Sequence, residues 1–131
     1  MKTQKIILVV EDEKSLREAI VDILRRKNYN PLEAKNGREG VEIALSKHPD
    51  LILLDLIMPE MDGMTALKKI RQDVWGAKVP IIILTNLSMN NKQLADDMAK
   101  HKPIFYLIKS DWKIHDVVDK VAKILEETNS L

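Results

Sequence analysis

Glu11 and Asp12 stand directly after the apolar run Ile6 to Val10, with Glu13 beside them. Asp55 follows Leu51 to Leu54, Thr85 follows Ile81 to Leu84, and Lys109 follows Ile104 to Ile108. If those runs are neighbouring strands, their ends gather two or three acids, a hydroxyl and an ammonium. Clustered carboxylates repel one another unless a cation sits among them. Oxygen ligands without cysteine or a well-placed histidine suit a hard ion such as Mg²⁺. Magnesium takes one or two carboxylates, keeps waters and fills its remaining positions with phosphate oxygens. A carboxylate also serves as a nucleophile toward phosphorus, giving an aspartyl-phosphate. The transferred group then needs a cation, an ammonium and a hydroxyl donor to absorb its charge. Asp12, Asp55, Lys109 and Thr85 supply that set, and Glu11 suits a metal-bound water. Loops are polar anyway, so one such residue would mean nothing. Four strand ends carrying this mixture favour a pocket.

Positioning such a pocket requires strands whose ends lie together. The runs are strand-length, mostly β-branched, and lack period-2 alternation, as strands buried on both faces of a parallel sheet do. A weaker strand fits around Pro31 to Ala34, before the turn residues Asn36 and Gly37. Helix-period stripes lie between. Leu16, Ile20, Ile23 and Leu24 form one, and Val41, Ala44 and Leu45 a shorter one. Leu67 and Ile70 lie on a third helix, Leu94 and Met98 on a fourth. Ile114, Val117, Val118, Val121, Ile124 and Leu125 make the longest. All these stripes are read as core packing. A β-α order repeated five times implies a parallel sheet with helices on both faces, whose functional loops lie at the carboxyl ends of the strands.

The chain has 131 residues, enough for one domain with a real core. Its net charge of +1 points to neither nucleic acid nor a membrane surface. Without cysteine there is no disulfide framework or thiolate zinc site. Ile6 to Val10 is too short for a signal-peptide core or a membrane span, so a cytoplasmic location is expected.

VVEDE, then D-L-I-M-P-E-M-D-G (Asp55 to Gly63), LTN and YLIKS together resemble the receiver domain of two-component response regulators, over about residues 5–126. The whole chain, 1–131, then reads as one receiver of the stand-alone, chemotaxis-regulator-like kind. The resemblance implies a flavodoxin-like, doubly wound (βα)5 fold with five parallel strands in the order 2-1-3-4-5. It implies that Asp55 accepts a phosphoryl group from a sensor histidine kinase or phosphotransfer protein, with Mg²⁺ required. The ion's set would be Glu11, Asp12, Asp55 and the backbone carbonyl of Ile57. Thr85 and Tyr106 would form a switch pair that reports to a protein target on the face made by the fourth and fifth helices and fifth strand. Such a domain is not a conventional enzyme, although it catalyses its own phosphotransfer and dephosphorylation. The chain ends at Asn129–Ser130–Leu131, soon after the last helix, so output is expected through protein contacts rather than direct nucleic-acid binding.

Departures from the family pattern fall around the pocket. Ser110 replaces the usual proline after Lys109, which favours a trans Lys109–Ser110 bond, because a cis bond before serine costs roughly 2.5–4 kcal/mol. Asn86 stands where a small residue is common, and Lys102–Pro103 replaces Gly-Ala before the last strand. Ile57 and Leu87 occupy positions that tune phosphoryl lifetime. None removes a catalytic group. His48, His101 and His115 read as surface or packing residues, and Trp75 and Trp112 as exposed loop neighbours. The Arg25–Arg26–Lys27 run suits the end of the first helix.

Three rivals weigh less. A nucleotide or flavin binder wants glycines or hydroxyls after the first strand, and this chain has Glu-Asp-Glu there. A haloacid-dehalogenase-like phosphatase needs a second carboxylate two residues after its nucleophile, where Ile57 stands. A receiver-like module used only for binding would have no need of Asp12, Asp55, Thr85 and Lys109 together.

Overall fold

The computed structural model describes residues 4–56, 61–85, 96, 105–108 and 113–129. Its five strands are β1 (Ile6–Val10), β2 (Asn30–Ala34), β3 (Leu51–Asp55), β4 (Ile81–Thr85) and β5 (Phe105–Ile108). They form one sheet in the order β2-β1-β3-β4-β5, and every neighbouring pair is parallel. The described helices are α1 (Lys14–Arg26), α2 (Gly37–Lys47), α3 (Gly63–Gln72) and α4 (Ile114–Asn129), with a 3-10 turn at Trp75–Ala77. The predicted helix through Leu94 and Met98 lies outside the described residues.

The missing alternation in the strands has a direct cause. Leu8, Val10, Ile52, Leu54, Ile81 and Ile83 pack into a core with α2 and α3, while Ile7, Val9, Leu51, Leu53, Ile82 and Leu84 pack into a second core with α1 and α4. Successive residues point to opposite faces and both faces are covered, so β1, β3 and β4 read as unbroken apolar runs, while the edge strand β2 leaves Asn30 and Glu33 exposed. Burial continues past the apolar runs, to Glu11 after β1 and to Asp55 and Leu56 at the end of β3.

Helix stripes match these cores with one correction. Val117, Val118, Val121, Ile124 and Leu125 are buried on α4, as are Leu67 and Ile70 on α3. Leu45 is not core: it is 37% exposed. On α2 the buried residues are Gly37, Gly40 and Ala44: Gly40 seats the helix against Val10 of β1, Gly37 faces Met61, and Leu45 turns outward. Asn36 does more than turn the chain. Its side chain caps α2 by accepting from the Glu39 N–H at 2.8 Å.

Arg71, near the end of α3, holds the segment that leads into β4. Its Nη1 donates to the carbonyls of Gly76 at 2.8 Å and Val79 at 2.7 Å. Arg71→Met is expected to lower stability by about 2 kcal/mol, because two acceptors in part-buried surroundings lose their donor. A urea unfolding midpoint unchanged from the parent would refute this.

Candidate acidic site at the carboxyl ends of the strands

Strand register brings the acids into line. Val10 pairs with Leu54, so the next residues, Glu11 and Asp55, stand level across the β1–β3 boundary. Both share the parity of Val9 and Leu53, which directs them to the α1 and α4 side of the sheet. Glu11 extends the ladder by one more bond, donating its N–H to the Ala34 carbonyl at 3.0 Å. Each of Glu11, Asp12 and Asp55 offers a carboxylate oxygen within 4.8 Å of the others. Glu11 is 0% exposed and Asp55 4%, whereas Asp12 is open to solvent. Two carboxylates are thus presented from a rigid sheet edge with a third at the rim. Glu13, the remaining acid of the run, serves as the residue before α1, outside the three-carboxylate group.

This donor set fits a hard divalent ion. Anionic oxygens converge within one ion's reach, one of them solvent-facing, so that water can complete the coordination. Burying two carboxylates side by side is otherwise costly.

The start of α3 packs against the end of β3. Asp62 caps α3 by accepting from the Thr65 N–H at 2.8 Å, and Gly63 donates its N–H to the Leu56 carbonyl at 2.9 Å. A Cβ on Gly63 would fall onto the carbonyl oxygen of Asp55 and 2.6 Å from Leu56 Cα. The Asp-Gly pair therefore starts α3 against the backbone that carries Asp55.

A further support escaped the sequence reading. Arg17, on α1, donates through Nη1 to the Glu11 carbonyl at 2.9 Å and through Nε to Glu33 Oε1 at 3.1 Å. The sequence held a signal for it. Arg17 lies at helical spacing from the buried Val21 and Leu24, where a cation has to find acceptors.

Thr85 ends β4 one step beyond Leu84, which pairs with Asp55, and itself pairs with Ile108. Tyr106 on β5 pairs with Ile83. Ile57, Lys109, Ser110, Asn86, Leu87, Lys102, Pro103, His101 and Trp112 lie outside the described residues, as do the Lys109–Ser110 bond and the side chains of Thr85 and Tyr106. At the opposite edge of the sheet, a 290 Å³ cavity is lined by His48, Pro49, Asp50, Trp75, Lys78, Val79 and Pro80. His48 stacks on Trp75 there, with ring centroids 4.5 Å apart, and none of the three clustered acids lines it. No described helix is long and apolar enough to cross a membrane.

Comparison with known proteins agrees with this fold. Over 122 residues the chain is 38% identical to a protein-glutamate methylesterase/protein-glutamine glutaminase of Archaeoglobus fulgidus, covering 92% of the chain and 34% of the relative. It is 39% identical to a probable transcriptional regulator of Porphyridium aerugineum, covering 94% of the chain and 52% of that protein. The chain thus spans about a third to a half of these curated relatives. A CheY-like receiver domain protein from Methanospirillum hungatei superposes with a TM-score of 0.88 over 98% of each chain at 21% identity, which speaks to the fold. The receiver domain of a histidine kinase from Syntrophus aciditrophicus gives 0.82 at 28% identity, over 94% of this chain and 91% of that one. The model of the response regulator receiver domain matches residues 7–122, and the chain belongs to that family.

Proposed function

We propose that this chain is a phosphorelay receiver that accepts a phosphoryl group on Asp55 from a sensor histidine kinase or phosphotransfer protein. The carrying observation is the convergence of Glu11, Asp12 and Asp55 at the carboxyl ends of β1 and β3, two of them buried. Asp55 is the nucleophile: a strand-end carboxylate, fixed in direction, whose oxygen attacks phosphorus while the donor's bond to phosphorus breaks. Asp12 and Asp55 would hold Mg²⁺, with the Ile57 carbonyl as a further ligand, and Glu11 would orient its water. When bound, the ion neutralises charge on the phosphoryl oxygens. Lys109 offers its ammonium and Thr85 its hydroxyl to the same oxygens. Thr85 and Tyr106 relay the change to a protein target on the side of the sheet edged by β5. Chemistry confined to one aspartate makes the chain a signalling domain that catalyses its own modification.

Incubation with acetyl phosphate and Mg²⁺ tests this reading, since it needs no knowledge of the cognate kinase. One phosphoryl should be added, and chelation should prevent it. Asp12→Ala should weaken Mg²⁺ binding about tenfold or more by removing a ligand. The same change relieves repulsion among the acids, so the variant should melt no lower than the parent in metal-free buffer. A variant that bound Mg²⁺ like the parent would move the ion elsewhere.

A further inference from the structure

We propose that Arg17 is a positioning residue for the divalent-ion site, acting through the Glu11–Asp12 peptide; this rests on the receiver reading above. The carbonyl that Arg17 Nη1 holds at 2.9 Å belongs to the same rigid peptide unit as the Asp12 nitrogen. Rotation of that unit swings Asp12, the one solvent-exposed member of the cluster, toward or away from Asp55. Both ends of Glu11 are tied to β2. Its N–H reaches the Ala34 carbonyl at 3.0 Å, and its carbonyl reaches Arg17, whose Nε is held by Glu33 at 3.1 Å. Glu33 and Ala34 are consecutive on β2, so the circuit Glu11–Ala34–Glu33–Arg17 closes on itself.

Charge alone does not account for this arrangement. The Arg17–Glu33 pair is net neutral, so it adds no net charge beside the cluster of anions. What remains is direction. A planar guanidinium can donate from Nε and Nη1 along two fixed vectors at once, which an ammonium on a flexible stem does not reproduce. Arg17 is also mostly buried, at 14% exposure, so the fork is held rather than sampled. Partners that orient ligands typically matter about 10- to 100-fold for metal affinity.

The test measures Mg²⁺ dissociation constants by calorimetry at a temperature where parent, Arg17→Met, Arg17→Lys and Glu33→Gln are all folded by circular dichroism. Arg17→Met should bind about tenfold more weakly, Arg17→Lys should recover only part of the loss, and Glu33→Gln should lose less than either. In the acetyl phosphate reaction the Mg²⁺ concentration for half-maximal rate should rise in the same order, while the rate at saturating Mg²⁺ stays within about twofold. A purely structural role would lower melting temperatures and leave these constants unmoved, which would overturn the proposal. Full retention of affinity in Arg17→Lys would overturn it too, reducing the role to charge. If the parent binds Mg²⁺ and takes phosphoryl but all variants match it, only the Arg17 assignment falls. A parent that does neither removes the receiver reading and this inference with it.

Discussion

Asp55→Asn is expected to take up no phosphoryl group from acetyl phosphate under conditions where the parent gains one, read as added mass on the intact chain. The effect should be all-or-none because the proposed nucleophile and its geometry reside in one side chain. Asp55 ends a strand whose preceding four residues are fully buried, so its direction is set by the sheet on both sides. The neighbouring acids are poor substitutes. Glu11 is wholly buried at 0% exposure, with its backbone tied to Ala34 and Arg17, and Asp12 stands at the rim. An amide nitrogen in place of the carboxylate oxygen keeps the shape but carries no anionic nucleophile. It also removes one of three clustered charges, so the variant should not melt below the parent in metal-free buffer. A modification level like the parent's would send the assignment to another residue. A mass gain that persisted and moved to Asp12 on peptide mapping would point to an adaptable cluster rather than a single acceptor.

Much of this was legible because burial on both faces of the sheet leaves an unambiguous mark. Leu51 to Leu54 had to be a strand between two helical layers, and the first polar residue after it had to stand at the edge. The same logic located Glu11, Thr85 and the end of β5 without any contact being known. What escaped is governed by contacts between distant segments. Leu45 looked like core by spacing, but Gly40 lets α2 approach Val10 of β1 and Gly37 lets it approach Met61, and hydrophobicity does not register a face that includes glycine. Arg17 escaped because its partners, Glu11 after β1 and Glu33 on β2, come from other segments of the chain. Asp62 and Gly63 were recognisable as a motif, yet their spacing did not say what they touch.

That contact gives the second large effect. Gly63→Ala should destabilise the chain and slow phosphoryl uptake together, because the added Cβ meets backbone rather than a movable side chain. Its nearest neighbours would be the carbonyl group of Asp55 and the Cα of Leu56, the latter at 2.6 Å. No rotamer change relieves a collision with the main chain, so either α3 backs away or the end of β3 shifts. Overpacking of this kind costs about 3 kcal/mol. Alanine's better helix propensity returns at most about 1 kcal/mol, and less at a first-turn position. The net loss is about 2 kcal/mol, or roughly 8 °C in melting temperature for a chain of this size. Asp62→Ala, which removes only an exposed cap, should cost about 1 kcal/mol and leave the reaction near the parental rate. Gly63→Ala should differ in kind, because the atoms it displaces carry Asp55, the proposed nucleophile. A shift near 1 Å at a reacting group can cost about 100-fold in rate. The comparison is made well below both melting temperatures, with acetyl phosphate and saturating Mg²⁺. If Gly63→Ala melted within about 2 °C of the parent and reacted as fast, the close approach of α3 to Asp55 would not be what holds the nucleophile in place.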